Sequence, residues 1–186
     1  MKKETLIINM HLDWRGSMTG PTFIHRSAEV EPDAIIGDGT KVWRFTHISK
    51  GAVIGKNCVI GQGVFIGKDV VVGDGCKVQN GSQIFAGVTL GDSVFVGPGV
   101  IFTNVLFPRA DMEQKDYVKT EVGDGASIGA GVVIICGNNI GKRAFIAAGS
   151  VVVKPVYNLG VVIGNPGRIV GKVPNDKSVH IHYNIV

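Results

Sequence analysis

The stretch CVIGQG-VFIGKD-VVVGDG, residues 58–75, consists of three consecutive six-residue units. Each unit begins with a small or β-branched residue, has a large aliphatic residue third and glycine fourth. No helix repeats every six residues, whereas a short strand followed by a turn does. The aliphatic position recurs at every sixth residue from Ile24 to Phe102, and again in a shifted frame from Val122 to Val152.

A six-residue unit is too short to bury its own apolar face, so successive units must coil and stack. Three units per coil give a triangular prism in which residues eighteen apart lie above one another, about 4.8 Å apart. The sequence therefore predicts an all-β solenoid. An amphipathic β-sandwich is the alternative, but it would show period-two runs of variable length.

Composition narrows the class of protein. The chain has 186 residues, 45% of them hydrophobic and 18% charged, which suits one globular domain and excludes intrinsic disorder. The net charge of +4 comes from scattered basic residues, so no nucleic-acid partner is expected. No apolar run reaches the roughly 18 residues of a membrane span, and no targeting segment is evident. Three cysteines suit a reducing compartment, so we expect a cytoplasmic protein.

The repeat divides the chain into three segments. Residues 1–21 form an N-terminal extension, residues 22–170 the solenoid, and residues 171–186 a C-terminal tail that we expect to cap the last coil. The lapse of the repeat predicts an inserted loop over residues 103–121. Gly16-Ser17-Met18 has the form of a cloning junction, so Met18 is the expected natural start.

Stacking by eighteen places polar side chains beside one corner of the prism. Arg44, Gln62 and Asn80 share one column, and Trp43 and Gln79 share the next. Two interpretations remain open at this point. The columns form a ligand-binding surface, or they form a solvated ladder of amides that stabilises the turns.

The hexads resemble the left-handed parallel β-helix of the hexapeptide-repeat acyltransferases over about residues 22–170. Seven segments resemble one branch of that family, the N-acetyltransferases that acylate the 3-amino group of nucleotide-linked sugars: 42–48 (VWRFTHI), 60–62 (IGQ), 77–80 (KVQN), 88–90 (VTL), 96–98 (VGP), 102–105 (FTNV) and 108–110 (PRA). Two departures bear on the substrate, because this branch commonly has His where Arg44 stands and an acidic residue where Gly91 stands.

This resemblance implies a homotrimer with active sites between subunits and with loop 103–121 reaching over the adjacent subunit. It implies acetyl-CoA as co-substrate, a dTDP- or UDP-linked aminosugar as acceptor, and a role in making surface glycans. Two other functions remain as alternatives. One is a same-fold acyltransferase with another acceptor, such as a 4-aminosugar, and the other is a non-catalytic scaffold.

The resemblance also implies roles for residues in the substrate site. Asn80 would orient the amine or the thioester carbonyl. His47 is a candidate general base, although a structural or ribose-contacting imidazole is the alternative. Arg44, Gln62 and Gln79 would bind substrate, and Asn104 and Arg109 would grip the sugar-nucleotide diphosphate or cap the base of the loop.

For the co-substrate, the resemblance points to the C-terminal coils. Ala147, Ala148 and Gly149 would bind pantetheine through backbone groups, and Asn165 and Pro166 lie in a turn that would meet the adenine. Arg168 and Lys172 would supply positive charge for the phosphates.

No metal is expected. Cys58 and Cys76 are eighteen apart at inward positions, so we expect them to stack as ordinary core residues. The γ-carbonic-anhydrase relatives on this fold need three converging histidines, and the sequence offers no such set.

Overall fold

The computed structural model describes residues 21–111 and 117–174. The N-terminal extension and most of the predicted tail therefore lie outside the described residues. Within them the chain forms 21 short strands and no helix: β1 (Phe23–Ile24), β2 (Glu29–Val30), β3 (Ile35–Ile36), β4 (Lys41–Val42), β5 (His47–Ile48), β6 (Val53–Ile54), β7 (Val59–Ile60), β8 (Phe65–Ile66), β9 (Val71–Val72), β10 (Lys77–Val78), β11 (Gln83–Ile84), β12 (Val88–Leu90), β13 (Phe95–Val96), β14 (Ile101–Phe102), β15 (Thr120–Val122), β16 (Ser127–Ile128), β17 (Val133–Ile134), β18 (Phe145–Ile146), β19 (Val151–Val152), β20 (Gly160–Ile163) and β21 (Arg168–Lys172).

Every third strand joins the same sheet, which makes a three-sided parallel β-helix. Sheet 1 has the order β1-β4-β7-β10-β13-β16-β18-β20-β21, sheet 2 has β2-β5-β8-β11-β14-β17-β19, and sheet 3 has β3-β6-β9-β12-β15. Single bridges from Val122 to Ile140 and from Ile140 to Val156 extend sheet 3. The predicted solenoid is confirmed, and its coils are consistent with left-handed winding.

The register of the strands is that of the eighteen-residue spacing. In sheet 1, Lys41 pairs with Val59 and Val59 with Lys77. Each sheet has one longer spacing across the inserted loop between β14 and β15, as where Phe95 pairs with Ser127, and in sheet 1 the spacing shortens to sixteen where Phe145 pairs with Val161.

Large aliphatic side chains fill the prism. The following residues are less than 2% exposed: Ile48, Ile54, Ile60, Ile66, Ile84, Phe102, Ile128, Ile134 and Ile146. Burying each contributes roughly 1.5–3 kcal/mol, so the core is the main source of stability. Buried hydroxyls beside them bond to the next coil, as Thr40 Oγ1 donates to the carbonyl of Gly55 at 2.7 Å. This bond satisfies a polar group that burial would otherwise penalise.

Cys58 and Cys76 lie in adjacent coils as buried free thiols, as predicted. Each Sγ donates to a backbone carbonyl at 3.1 Å, that of Gly73 for Cys58 and that of Gly91 for Cys76. The Cys58 thiol and burial raise the pKa of Cys76 well above its usual range. Cys76 is therefore a neutral core residue at physiological pH.

The repeat ends in a hairpin that hexad counting does not predict. β20 continues sheet 1, but β21 turns back and pairs with it antiparallel, joining Gly160 to Lys172 and Ile163 to Arg168. The connecting turn, Gly164 to Gly167, contains a cis peptide bond before Pro166. β21 thus covers the C-terminal edge of sheet 1, and all but its last two residues precede the segment 171–186 to which we assigned a capping role.

Candidate active site

The functional residues predicted from the stacking gather at one corner of the prism. We call corner 1 the three residues that follow each strand of sheet 1: 25–27, 43–45, 61–63, 79–81, 97–99, 129–131 and 147–149. Corner 2 and corner 3 are the corresponding turns after sheets 2 and 3. The sheet 1 register confirms the predicted columns, since it places Trp43, Gly61 and Gln79 in one column and Arg44, Gln62 and Asn80 in the next.

An open groove of about 380 Å³ lies where corner 1 meets sheet 1. Its lining residues are Trp43, Arg44, Val59, Gly61, Gln62, Gln79 and Asn80. Val59 and Gly61 belong to the middle coil and form the floor. The predicted substrate residues Arg44, Gln62, Gln79 and Asn80 are therefore brought together.

The floor needs glycine at position 61 for steric reasons. A Cβ on Gly61 would lie 2.6 Å from Asn80 Oδ1 and 2.7 Å from the Asn80 backbone nitrogen. Any side chain there would displace Asn80 and fill the groove.

Asn80 uses one of its two polar groups to hold the corner. Its Oδ1 accepts the backbone N–H of Gln62 at 2.9 Å. Corner 3 repeats this contact with other side chains, as Asp74 accepts from Lys56 and Asn158 from Lys142. The ladder interpretation thus holds for Asn80 Oδ1, whereas its amide N–H groups donate to no described residue.

His25 belongs to the groove's edge and was missed by the sequence analysis. Arg44 Nε donates to His25 Nε2 at 3.3 Å, and the Phe23 and Trp43 rings stand 5.6 Å apart. The eighteen-residue spacing could have located His25, because it precedes Trp43 by eighteen residues and so belongs to the same column.

His47 lies on another face. It begins β5 in sheet 2, and its ring is 5.4 Å from that of Phe65. Its Nε2 is 2.7 Å from Glu31 Oε1, and its Nδ1 is 3.5 Å from Glu29 Oε2. The backbone N–H of Lys50, followed by His47, holds the pKa of Glu31 below its usual value of 4.5. Of the two candidate catalytic residues, only Asn80 lines the groove.

The predicted loop residues lie apart from this groove. The backbone carbonyl of Asn104 accepts the N–H of Val118 at 3.0 Å, which closes the base of the loop. Arg109 is exposed, and the one hydrogen bond its side chain makes to a described residue is to the neighbouring carbonyl of Pro108. Phe107 is 80% exposed, so the loop presents an apolar side chain outward.

Corner 1 continues beyond Asn80 with small residues and uncapped backbone donors. Gly99, Gly131 and Gly149 have positive φ, and a Cβ on any of them would meet nothing within 4 Å. The N–H groups of Ala130 and Ala148 donate to no described residue, because no side-chain acceptor follows them in the next coil. The corner therefore offers backbone donors along a surface without side chains.

We call this part of corner 1, residues 97–99, 129–131 and 147–149, the glycine strip. The turn of the terminal hairpin lies directly over the glycine strip. The backbone N–H of Gly164 donates to Ser150 Oγ at 3.0 Å, and that of Gly167 donates to the Val151 carbonyl at 2.7 Å. The predicted co-substrate residues Ala147–Gly149 and Asn165–Arg168 are thus neighbours.

Lys172 is separated from Arg168, since it ends β21 at the opposite side of sheet 1. Its Nζ stands 5.4 Å from the centroid of the Tyr157 ring. Among residues 21–111 and 117–174, no group of three His, Cys, Asp or Glu could hold a metal ion. That same part of the chain contains no helix long and apolar enough to cross a membrane.

The fold and the repeat match known family models. Residues 33–68 and 51–86 match the bacterial transferase hexapeptide (six repeats), and residues 119–154 match the hexapeptide repeat of succinyl-transferase. The dTDP-3-amino-3,6-dideoxy-alpha-D-galactopyranose 3-N-acetyltransferase of Aneurinibacillus thermoaerophilus is 46% identical over 81% of this chain and 78% of that protein. The chain belongs to the hexapeptide-repeat transferases.

Solved structures of other hexapeptide transferases agree. PerB from Caulobacter crescentus, in complex with CoA and GDP-perosamine, is 26% identical with a TM-score of 0.53, covering 81% of this chain and 57% of that one. A mutant of GDP-perosamine N-acetyl transferase from the same organism, also with both ligands, is 25% identical with a TM-score of 0.57, covering 82% and 57%. The chain spans less than two thirds of these two proteins. The resemblance to nucleotide-aminosugar N-acetyltransferases is confirmed.

Proposed function

We propose that the protein transfers the acetyl group of acetyl-CoA to the 3-amino group of a dTDP- or UDP-linked aminosugar. The match to the 3-N-acetyltransferase of Aneurinibacillus thermoaerophilus, 46% identical over 81% of the chain, carries this proposal. The Caulobacter structures with CoA and GDP-perosamine support the two classes of substrate.

The aminosugar occupies the groove, and the amine lies beside Asn80. The pantetheine arm of acetyl-CoA runs along corner 1 from Asn80 toward Ala148. Those two residues are three coils apart, which corresponds to about 14 Å. The free N–H groups of Ala130 and Ala148 bond the amide carbonyls of the arm, and the adjacent glycines leave room for it. Arg168, exposed beside the terminal turn, meets a phosphate of CoA.

The reaction is aminolysis of a thioester. The neutral amine attacks the thioester carbon, forming a C–N bond and a tetrahedral oxyanion. The oxyanion collapses, the C–S bond breaks, and the proton of the ammonium passes to the departing thiolate. Products are the acetamido sugar and CoA with a free thiol.

Asn80 serves as hydrogen-bond donor in this reaction. The sequence left open whether it orients the amine or the thioester carbonyl. Because its Oδ1 already accepts from Gln62, the free side-chain group is the amide nitrogen, which donates. A donor suits the carbonyl oxygen, and the bond strengthens as negative charge develops there.

His47 has a structural role in this proposal. Two glutamates face its ring, and Phe65 packs against it. A base so engaged must break the 2.7 Å contact with Glu31 before it can reach an amine.

We further propose a homotrimer in the cytoplasm that acts in surface-glycan (lipopolysaccharide) biosynthesis. Phe107 supports the assembly, since an 80% exposed ring on a protruding loop suits contact with an adjacent subunit.

The test measures thiol release from acetyl-CoA with a panel of nucleotide sugars. It includes dTDP- and UDP-linked 3-aminosugars, a 4-aminosugar and GDP-perosamine. Release should require a 3-aminosugar. No release with either nucleotide series would remove the assignment, and preference for a 4-aminosugar would change the acceptor. If calorimetry showed no CoA binding, the scaffold alternative would be favoured.

A further inference from the structure

Two lysines flank the floor of the groove on sheet 1. Lys41 in β4 and Lys77 in β10 both pair with Val59, which lies between them in β7. Their strand neighbours Val42 and Val78 are fully buried, so the lysine side chains point outward. The backbones of the two lysines stand two strand spacings apart, about 9.6 Å. The lysines therefore extend the two walls of the groove away from corner 1.

Neither lysine has a counter-charge among residues 21–111 and 117–174. No carboxylate of the described chain lies within 4.0 Å of either Nζ, although three other lysines form such pairs: Lys50 with Asp33, Lys68 with Asp69 and Lys142 with Asp124.

Toward corner 1 the charges around the two lysines are positive, whereas the corner 3 turns that precede their strands and the neighbouring β13 carry Asp38, Asp74 and Asp92. From β1 to β18, the outward residues of sheet 1 and the residues of corner 1 include no Asp or Glu. Arg26 and Arg44 at corner 1 add positive charge. The unpaired cations on the side of the groove that faces corner 1 attract an anion.

We propose that Lys41 and Lys77 bind the diphosphate of the nucleotide-linked aminosugar, an inference that rests on the proposed function. Lys77 begins β10 and Asn80 follows in the corner turn three residues later, so their backbones are at most about 10 Å apart. A pyranose with its amine at Asn80 then directs its diphosphate toward the lysine end of the groove. Val59 between the lysines supplies an apolar floor for the C–H face of the sugar. In this arrangement Arg109 and Asn104 do not contact the diphosphate.

The phosphates of CoA are the other anionic groups that the two lysines could bind. The glycine strip and the turn assigned to CoA lie on the C-terminal side of Asn80, in the coils of Ala130 and Ala148 and beyond. Lys41 lies two coils on the N-terminal side of Asn80. The two anionic groups thus occupy opposite sides of the reacting centre.

The test replaces the charges and measures both Michaelis constants by thiol release. Lys41→Gln and Lys77→Gln should each raise the KM for the nucleotide aminosugar about tenfold. The KM for acetyl-CoA should stay within about twofold. Lys77→Arg should retain most of the sugar affinity, because the charge remains. Lys68→Gln, at corner 2 and paired with Asp69 at 3.8 Å, is the matched control and should change neither constant.

Titration with inorganic pyrophosphate separates this inference from the proposed function. The wild-type chain should bind pyrophosphate in calorimetry, and the Lys41→Gln/Lys77→Gln double variant should lose that binding at an unchanged melting temperature. If an aminosugar is turned over but the double variant keeps its sugar KM, the lysine subsite is wrong and the function stands. If no aminosugar is a substrate, the proposed function is wrong, and the pyrophosphate titration alone tests whether the lysines bind a diphosphate. Pyrophosphate binding retained by the double variant would then overturn the lysine subsite. A rise confined to the KM for acetyl-CoA would assign the lysines to CoA and overturn it too.

Discussion

Substitutions at Asn80 separate its two polar groups. Asn80→Asp keeps the oxygen that accepts the Gln62 N–H at 2.9 Å but removes the N–H donor. An aspartate suits such a corner, since Asp74 caps the Lys56 N–H at 2.7 Å in the same way. Asn80→Ala removes both groups.

The expected magnitudes differ for stability and for turnover. A single hydrogen bond of this kind contributes roughly 0.5–1.5 kcal/mol, so Asn80→Ala should be about 1 kcal/mol less stable. Asn80→Asp should lose much less. Loss of a donor to a developing oxyanion costs roughly 10²–10³ in kcat, and both variants should show it.

The assay pairs kcat from thiol release, at saturating substrates, with the free energy of unfolding from denaturant titration. Asn158→Ala is the matched control, because Asn158 caps Lys142 N–H at 2.8 Å in corner 3. That variant should lose as much stability as Asn80→Ala yet keep its kcat. Loss of activity in Asn80→Asp without loss of stability would then come from the missing donor.

Two results would refute this reasoning. Wild-type kcat in Asn80→Asp would show that the amide donates to nothing that reacts. A larger fall in His47→Ala or His47→Asn than in Asn80→Ala would make His47 the general base and Asn80 a structural residue.

Three further predictions concern the co-substrate, the glycine strip and pH. Arg168→Ala should raise the KM for acetyl-CoA and leave that for the sugar, and an unchanged KM would make the turn purely structural. Gly131→Ala and Gly75→Ala introduce similar strain, about 1 kcal/mol at φ of 64° and 67°, and neither added Cβ meets an atom closer than 3.4 Å, so denaturant titration should show similar destabilisation. Only Gly131→Ala should raise the KM for acetyl-CoA, and equal KM values would place the pantetheine elsewhere. The lowered pKa of Glu31 stabilises the fold above its usual value of 4.5, and this contribution is lost as pH falls through the folded pKa. Glu31→Gln should therefore lower the melting temperature near neutral pH, with the difference from wild type shrinking steadily below about pH 4; a pH-independent difference would contradict this.

The sequence predicted the columns that line the groove because the parallel strands of these coils keep a constant eighteen-residue register. Each hexad pins one aliphatic residue inward, so the eighteen-residue columns of Arg44, Gln62 and Asn80 follow from counting. The same counting places His47 one residue before the buried Ile48, and therefore outward on sheet 2. Its pairing with Glu31 could not be predicted, since that contact depends on side-chain conformations.

Counting hexads does not predict the positions of residues after the chain reverses direction. After Gly164 the chain turns back, and β21 pairs antiparallel, so no column relates Lys172 to any earlier residue. The resemblance grouped Arg168 and Lys172, but the hairpin puts them at opposite ends of one strand. The position of Arg109 in the inserted loop could not be predicted either, because Arg109 lies between strands and no ladder of paired residues fixes its position.

The glycine column of corner 1 has a cause beyond turn geometry. In the other corners the corresponding left-handed position holds glycine in some coils and Asn57, Asp69, Ser93 or Arg143 in others, and in corner 1 Phe45 adopts it too, with φ of 54–56° for all five. Side chains are therefore tolerated in this turn, so backbone strain alone does not require the run of Gly63, Gly81, Gly99, Gly131 and Gly149. Beyond Asn80, corner 1 also lacks the side-chain caps that satisfy N–H groups of corner 3, so those of Ala130 and Ala148 donate to no residue that the structure describes. Open space and free donors along one edge suit a thin ligand rich in carbonyl groups, and the pantetheine arm of CoA is such a ligand.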